Sequence, residues 1–370
     1  MRLSILLPTH NRAETLEWAL RSLQAQTEAD FEVLICGDGC IDATNELARA
    51  WETKDARFRW FDLPKGPGFG YANRNQVLQH AGGEFIGFMA HDDLVFRDHF
   101  FRMLEPFSDS ATQLVASRPL WVDDSGTILP AANNLECSLI FQDLIDGSHT
   151  LPATSYAHRR SAFAEVGFWD DQLPRAADLD FWRRIVLHHG PQSVRYLTTP
   201  SALHFRALWK TAAHPDPHQL DGWRRLLSTP GAYPDLLRAN LTEKELPQAH
   251  IGRMLLAEDG HVWEQNVRHA AELALDSYAW EQHQLLKNAR THILERNVEE
   301  AKLTAALEAR DKRAAALQAR ATAQQAQITT LKAEAAAQKH RANKWKQKCE
   351  TLRACHAQPA ARPWWSWWRK

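Results

Sequence analysis

The strongest chemical signal in the chain is His91-Asp92-Asp93, which directly follows the apolar run Phe85-Ile86-Gly87-Phe88-Met89. Adjacent carboxylates repel unless a cation or solvent offsets their charge. Oxygen ligands of this type suit Mg²⁺ or Mn²⁺, which bind one or two carboxylates plus substrate phosphates. A helix cap ahead of Phe96 to Leu104 accounts for the same residues equally well. A second acidic pair, Asp178 and Asp180, lies two residues apart ahead of Phe181 and Trp182. If this segment opens a helix, Asp178 falls in the first turn facing a cleft, while Phe181, Trp182 and Ile185 pack inward. Taken alone, the pair is more simply read as acids complementing the helix dipole. Gly66-Pro67-Gly68-Phe69-Gly70 precedes Asn73-Arg74-Asn75, which puts a guanidinium with bidentate geometry just after a flexible loop. The loop lacks the GK[ST] of a P-loop, and no GxGxxG follows the first strand, so neither an ATPase nor a dinucleotide site is indicated.

These groups need elements to hold them. Leu3 to Leu7 is a short continuous apolar run, as in a strand buried on both faces of a parallel sheet. Asn11 stands three residues before Glu14, a helix-start pattern, and Leu16, Leu20 and Leu23 then share one helical face. The cycle repeats with a strand over Val33 to Cys36, a turn at Gly37-Asp38-Gly39, and Asp42 as a cap before Leu47, Ala48 and Trp51. A third strand over Phe58 to Phe61, a helix over Ala72 to Ala81 and a fourth strand over Phe85 to Met89 complete the pattern. Such alternation specifies a doubly wound parallel α/β sheet with right-handed crossovers. Ligands of such sheets sit beyond the carboxyl ends of the strands. There the chain carries Thr9-His10-Asn11-Arg12, Asp38 and His91-Asp92-Asp93, three polar clusters converging on one rim.

Residues 1 to about 210 resemble the family 2 glycosyltransferases of the GT-A fold. The family's opening strand and PxxN[RK] turn are matched by Leu3 to Arg12, and its DDGS-type turn by Gly37-Asp38-Gly39-Cys40. The ARN element is matched by Asn73-Arg74-Asn75 and the DxDD metal motif by Ala90-His91-Asp92-Asp93. The acceptor segment is matched by Ala157 to Arg160 with Glu165 to Asp170, and the ED element by Ala177-Asp178. Six weak motifs in the right order make a specific match.

The resemblance implies a GT-A sheet, mostly parallel, and an inverting, metal-dependent transfer of one sugar from a UDP- or dTDP-linked donor. It implies that Pro8, Thr9, His10 and Asp38 hold the nucleoside, with Arg12, Arg74 and His91 among the nucleotide-sugar contacts. Asp92 falls on the family's metal ligand, with Asp93 and His204 joining it around Mg²⁺ or Mn²⁺, and Asp178 falls on the general base. The acceptor would be a glycan or a lipid-linked glycan of bacterial surface polysaccharide synthesis. Three positions depart from the pattern: Ala90, Gly37 and Ala177 stand where the family carries acids. They favour an alternative, a sugar-nucleotide fold without activity that organises other enzymes, whereas Asp92, Asp178 and Arg74 oppose it. A nucleotidyltransferase is disfavoured because no glycine-rich basic triphosphate loop follows the first strand. Trp169 and Trp182 could stack on an acceptor sugar, although large aromatics near a helix are more often core.

The second half divides into a helical accessory region over 216–300, a coiled coil over 301–355 and a Trp-rich basic tail over 356–370. A four-three spacing runs from Leu303 through Leu307, Arg310, Ala314, Leu317, Ala321, Gln324 and Ile328 to Leu352, and implies a homo-oligomeric coiled coil or a solvated single helix. Ten Lys or Arg stand against Glu334 and Glu350 from Leu331 onward, +8, which leaves the preceding residues at −9 of the total −1. With Trp364, Trp365, Trp367 and Trp368, that tail suits an anionic membrane surface, and a protein partner is the other occupant. The near-zero total argues against a nucleic-acid partner. Five cysteines without metal spacing fit a reduced, cytoplasmic setting, and the basic Trp-rich tail would make the chain peripheral at the inner face of the cell membrane. No run reaches the roughly 18 apolar residues a spanning helix needs.

Overall fold

The computed structural model describes residues 1–147, 151–205 and 222–350, with side chains of the last helix given up to 338. The expected Trp-rich tail over 356–370, the end of the coiled-coil seam and the boundary near 215 lie outside the described residues.

The alternation read from the sequence is present. Strand β1 (Leu3–Thr9) leads into helix α1 (Ala13–Gln24), β2 (Phe31–Asp38) into α2 (Thr44–Lys54), and β3 (Phe58–Leu63) into α3 (Tyr71–Leu78) ahead of β4 (Phe85–Phe88). These four strands run parallel in the order β3-β2-β1-β4. Residues Leu3 to Leu7 are all at least nine-tenths buried, the burial on both faces that their continuous apolar character requires.

Beyond β4 the sheet becomes mixed. Strand β5 (Leu94–Val95) precedes α4 (His99–Leu104), and β6 (Leu114–Val122) is followed by β7 (Ile128–Pro130) and α5 (Ser138–Asp146). Then come β8 (Tyr156–Arg159), α6 (Ala162–Val166), α7 (Ala177–His189) and β9 (Val194–Phe205). Strand β8 lies antiparallel between β4 and β6, and β9 runs parallel to β6. The helix expected over Phe96 to Leu104 is shorter than that, because Leu94 and Val95 pair with β9 and Phe96 N donates to Ser201 O at 2.8 Å.

Helices cover both faces. One apolar layer joins Leu16, Leu20 and Leu23 of α1 to Trp51 and Phe100, and the opposite layer joins Leu78, Tyr156, Phe181 and Trp182. Residues 222–284 form part of the same compact unit, Met1–Gln284. They contribute α8 (Arg224–Ser228), α9 (Pro247–Leu256) and the start of α10 (Gly260–Glu350). Trp223, Tyr233, Ile251, Leu255 and Val267 share a third apolar cluster with Phe96, Leu120, Leu203 and Phe205. This region therefore completes the sheet's cover rather than forming an accessory body. From Leu285 to Gln338, α10 is exposed at every residue.

Candidate active site

The carboxyl ends of β1, β2 and β4, the start of α3, the start of α7 and the end of β9 surround one cleft of about 610 Å³. Pro8, Thr9, His10 and Arg12 reach it from β1 and the turn after it. Asp38 comes from β2, Arg74 from α3, His91, Asp92 and Asp93 from the turn after β4, Asp178 from α7 and His204 from β9. Every residue singled out for the site thus lines the same cavity, although up to 196 positions separate them in the chain.

One wall of the cleft is built on Asp38. Its Oδ1 accepts from Gly66 N and from Asn73 Nδ2, both at 2.7 Å, and its Oδ2 pairs with Lys65 Nζ. Asp38 therefore anchors the glycine loop as well as facing the cleft. Gly70 adopts φ +71°, and a Cβ there would meet Asp38 Oδ2 at 2.6 Å, so both conformation and space require glycine. His10 donates from Nδ1 to Asp38 O at 2.7 Å, which ties the ends of β1 and β2 together.

Arg74 follows the loop in the first turn of α3. Its guanidinium carbon lies 5.0 Å from the Tyr71 ring centre and 5.6 Å from that of Trp169. Asn75 holds Trp169 by accepting from its N at 3.2 Å and donating to its O at 2.7 Å. Trp169 and Trp182 are both core residues, with Trp169 also steering Arg74. Arg74 Nε is buried with no protein partner, as are Thr9 Oγ1 and His91 Nε2. Nearby, burial pushes the Cys36 thiol up to about 12, an effect that the positive charge of Arg74 only moderates, so this cysteine is a neutral wall residue and not a nucleophile.

At the turn after β4 the two adjacent carboxylates differ. Asp93 is fully buried and accepts from Thr154 Oγ1, from His204 Nδ1 at 3.0 Å and from Phe205 N at 3.3 Å. Asp92 keeps a partly open side chain, with Oδ2 4.0 Å from His91 Nε2. His91 donates from Nδ1 to Pro8 O at 3.2 Å, which leaves the lone pair of a neutral ring on Nε2. The turn is braced from the far segment, where Gln248 of α9 donates to Asp92 O at 3.4 Å.

Asp178 sits in the first turn of α7, where Leu179 N donates to its Oδ1 at 2.9 Å. Ala176 just before the helix has φ +57°, a left-handed conformation that costs an alanine free energy and is concentrated at functional sites. Burial and then the neighbouring Asp178 charge push the Tyr71 phenol up, so it stays neutral beside the carboxylate.

Two of the three departures have structural counterparts. The space a side chain at Gly37 would occupy is filled by the Trp60 ring, and Ala177 is wholly buried in the apolar layer behind the cleft. At the third, Ala90 N donates to Thr154 Oγ1 at 3.1 Å. Lys65 and Arg175 also line the cleft and were not singled out from sequence. A cation directly before a glycine-rich loop was the available signal for Lys65; none marked Arg175.

Residues 4–167 match the family described as glycosyl transferase family 2. An uncharacterised glycosyltransferase of Rickettsia conorii is 28% identical over 196 residues, covering 49% of this chain and 31% of that protein. A GalNAc(5)-diNAcBac-PP-undecaprenol beta-1,3-glucosyltransferase of Campylobacter jejuni is 34% identical over 95 residues, covering 25% of this chain and 30% of that protein. Both matches span about a third of those relatives' length. Among solved structures, S. aureus TarS 1-349 in complex with UDP-GlcNAc aligns with a TM-score of 0.48 at 17% identity, over 75% of this chain and 89% of that one. The N-terminal part of this chain is thus similar to glycosyl transferase family 2 through residues 4–167, somewhat less than half of its length.

Proposed function

We propose that the chain transfers a sugar, with inversion, from a UDP- or dTDP-linked donor to a hydroxyl of a glycan or lipid-linked acceptor. The observation that carries this reading is the convergence of Thr9 Oγ1, Arg74 Nε and His91 Nε2, all buried and unpaired in the protein, on the cleft that also holds Asp92 and Asp178. Buried polar groups are normally paired, so a cleft lined by unpaired ones is built for a polar ligand.

By residue type the donor set suits a divalent cation, while no three of its residues hold their ligand atoms within 4.8 Å of one another. Asp92 offers carboxylate oxygen, and His91 and His204 offer imidazole nitrogen, a mixture that suits Mn²⁺ and, through Asp92 and donor phosphates, Mg²⁺. Asp93 serves this set by orienting His204. Bound there, the cation would supply charge neutralisation for the departing diphosphate. Arg74, packed against the Tyr71 and Trp169 rings, adds positive charge on the same side. Asp178 accepts the proton of the acceptor hydroxyl as its oxygen bonds to the anomeric carbon, and the bond to the diphosphate oxygen breaks on the opposite face.

The Campylobacter jejuni relative's undecaprenol-linked acceptor supports a lipid-linked acceptor here and a site at the inner face of the membrane. No helix among the described residues is long and apolar enough to cross a membrane. Ala90 and Ala177 favour the competing reading, an inactive scaffold. One screen separates the two: thermal unfolding with nucleotide sugars in Mn²⁺, Mg²⁺ or EDTA. The transferase reading expects one donor to raise the midpoint by about 5 °C with metal only. No shift with any donor would favour the scaffold.

A further inference from the structure

The exposed part of α10 carries a seam that solvent does not explain. Ile293, Leu303, Leu307 and Leu317 are 58%, 59%, 49% and 60% exposed, spaced as the a and d positions of a heptad repeat. Ile293, Glu300, Leu307 and Ala314 take one of these positions, and Arg296, Leu303, Arg310 and Leu317 the other. The apolar seam is thus interrupted by charges of both signs at defined places.

Those charges discriminate between ways of covering it. In a parallel pair in register, each seam residue faces its own copy, so Glu300 meets Glu300 and Arg310 meets Arg310, which is repulsive. In an antiparallel pair, a positions face d positions. One register then sets Glu300 opposite Arg310, Leu303 opposite Leu307 and Ile293 opposite Leu317, each layer occurring twice by symmetry. Arg296 falls opposite Ala314, a small residue past which its stem can extend to water. Sliding by one heptad either way places Glu300 opposite Leu303 or opposite Leu317, which buries an unpaired charge. Sliding by two heptads pairs Glu300 with Arg296 but sets Leu286 opposite Arg310.

We infer that residues 289–321 of α10 form an antiparallel two-stranded coiled coil with a second copy of this chain, its register set by reciprocal Glu300–Arg310 pairs. In the single chain Arg310 Nη2 lies 3.3 Å from Asp311, an exposed neighbouring pair of little worth that the intermolecular pair replaces. A buried polar layer of this kind specifies orientation and register more than it adds stability. The overlap extends about 50 Å at 1.5 Å per residue. The inference is independent of the reading of the cleft, and loss of catalysis would not bear on it.

The test uses the full chain with Cys137→Ser, Cys349→Ser and Cys355→Ser. Mixing a Leu303→Cys chain with a Leu307→Cys chain under mild oxidation is expected to yield a disulfide-linked dimer that neither variant forms alone. Separately, Glu300→Arg or Arg310→Glu should weaken dimerisation in sedimentation experiments at least about tenfold, and the double exchange should restore it. Circular dichroism checks that every variant keeps its helix. Cross-linking of Leu303→Cys with itself would establish a parallel pair, and cross-linking of Ile293→Cys with Leu303→Cys another register. Either result, a monomer at all concentrations, or single exchanges without effect would overturn the inference.

Discussion

Asp93 Oδ2 accepts a 3.0 Å hydrogen bond from His204 Nδ1, joining the turn after β4 to the end of β9 across 111 positions of chain. The bond selects the ring tautomer whose lone pair is on Nε2, the form that binds cations. It also separates two carboxylates that look alike in sequence. Asp93 faces protein donors, and Asp92 faces the cleft.

The first prediction follows from that division. Asp93→Asn replaces an acceptor that serves three donors, and is expected to cost about 2 kcal/mol in urea unfolding as well as weakening metal-dependent nucleotide binding. Asp92→Asn is expected to leave stability within about 0.5 kcal/mol and to lower only the binding measured by calorimetry. Equal stability losses in the two variants would contradict the division.

Gly70 supplies the second prediction. Gly70→Ala forces a side chain into the left-handed region and against the Asp38 carboxylate, for an expected loss of about 2 kcal/mol. Because Asp38 holds Lys65, Gly66 and Asn73, donor affinity should fall along with stability. Donor affinity unchanged in a destabilised variant would separate the loop from the site.

The third prediction concerns acid. Burial pushes the imidazoles of His99 and His158 down to about 4, below the 6.5 of a free ring. Both are fully buried, so the unfolded chain takes up protons at a pH where the folded one does not. Their neutral burial is therefore fully tolerated above pH 6.5, and stability is lost as pH falls from 6.5 towards 4. The loss approaches about 3 kcal/mol for each group at most. His158→Phe, in a site already walled by Phe88, Phe163 and Phe181, should reduce the slope of unfolding free energy against pH by about one proton over that range. An unchanged slope would mean that His158 is charged in the folded protein.

Local pattern carried the parts of the fold that local pattern encodes. Leu3 to Leu7, Val33 to Cys36 and Phe85 to Phe88 were legible as strands because a strand buried on both faces reads as one apolar run. Asp178 was legible as a first-turn residue from the apolar spacing of Phe181, Trp182 and Ile185. Strand β8 was not, since Tyr156–Arg159 is four residues long and owes its state to Phe85–Gly87 and Leu114–Ala116, far away in sequence. The covering role of 222–284 was hidden for the same reason: Trp223, Tyr233 and Ile251 acquire a partner surface only once β6 and β9 are adjacent. In the site, the residue types that line the cleft could be named in advance, but their mutual engagement could not. That Lys65 is held by Asp38, and that Arg74 packs against Tyr71 and Trp169, are facts of packing.

Asp178 is proposed as the base of a glycosyl transfer in this cleft, and the rate of Asp178→Asn reads that role out. Nucleoside diphosphate release would be followed with the donor and metal identified by the unfolding screen, using the true acceptor or slow donor hydrolysis. A base acts in the transition state and contributes little to ground-state binding, so turnover should fall about 100-fold or more while the donor dissociation constant stays within about threefold. Turnover by Asp178→Asn at the wild-type rate, with donor binding intact, would place the base elsewhere.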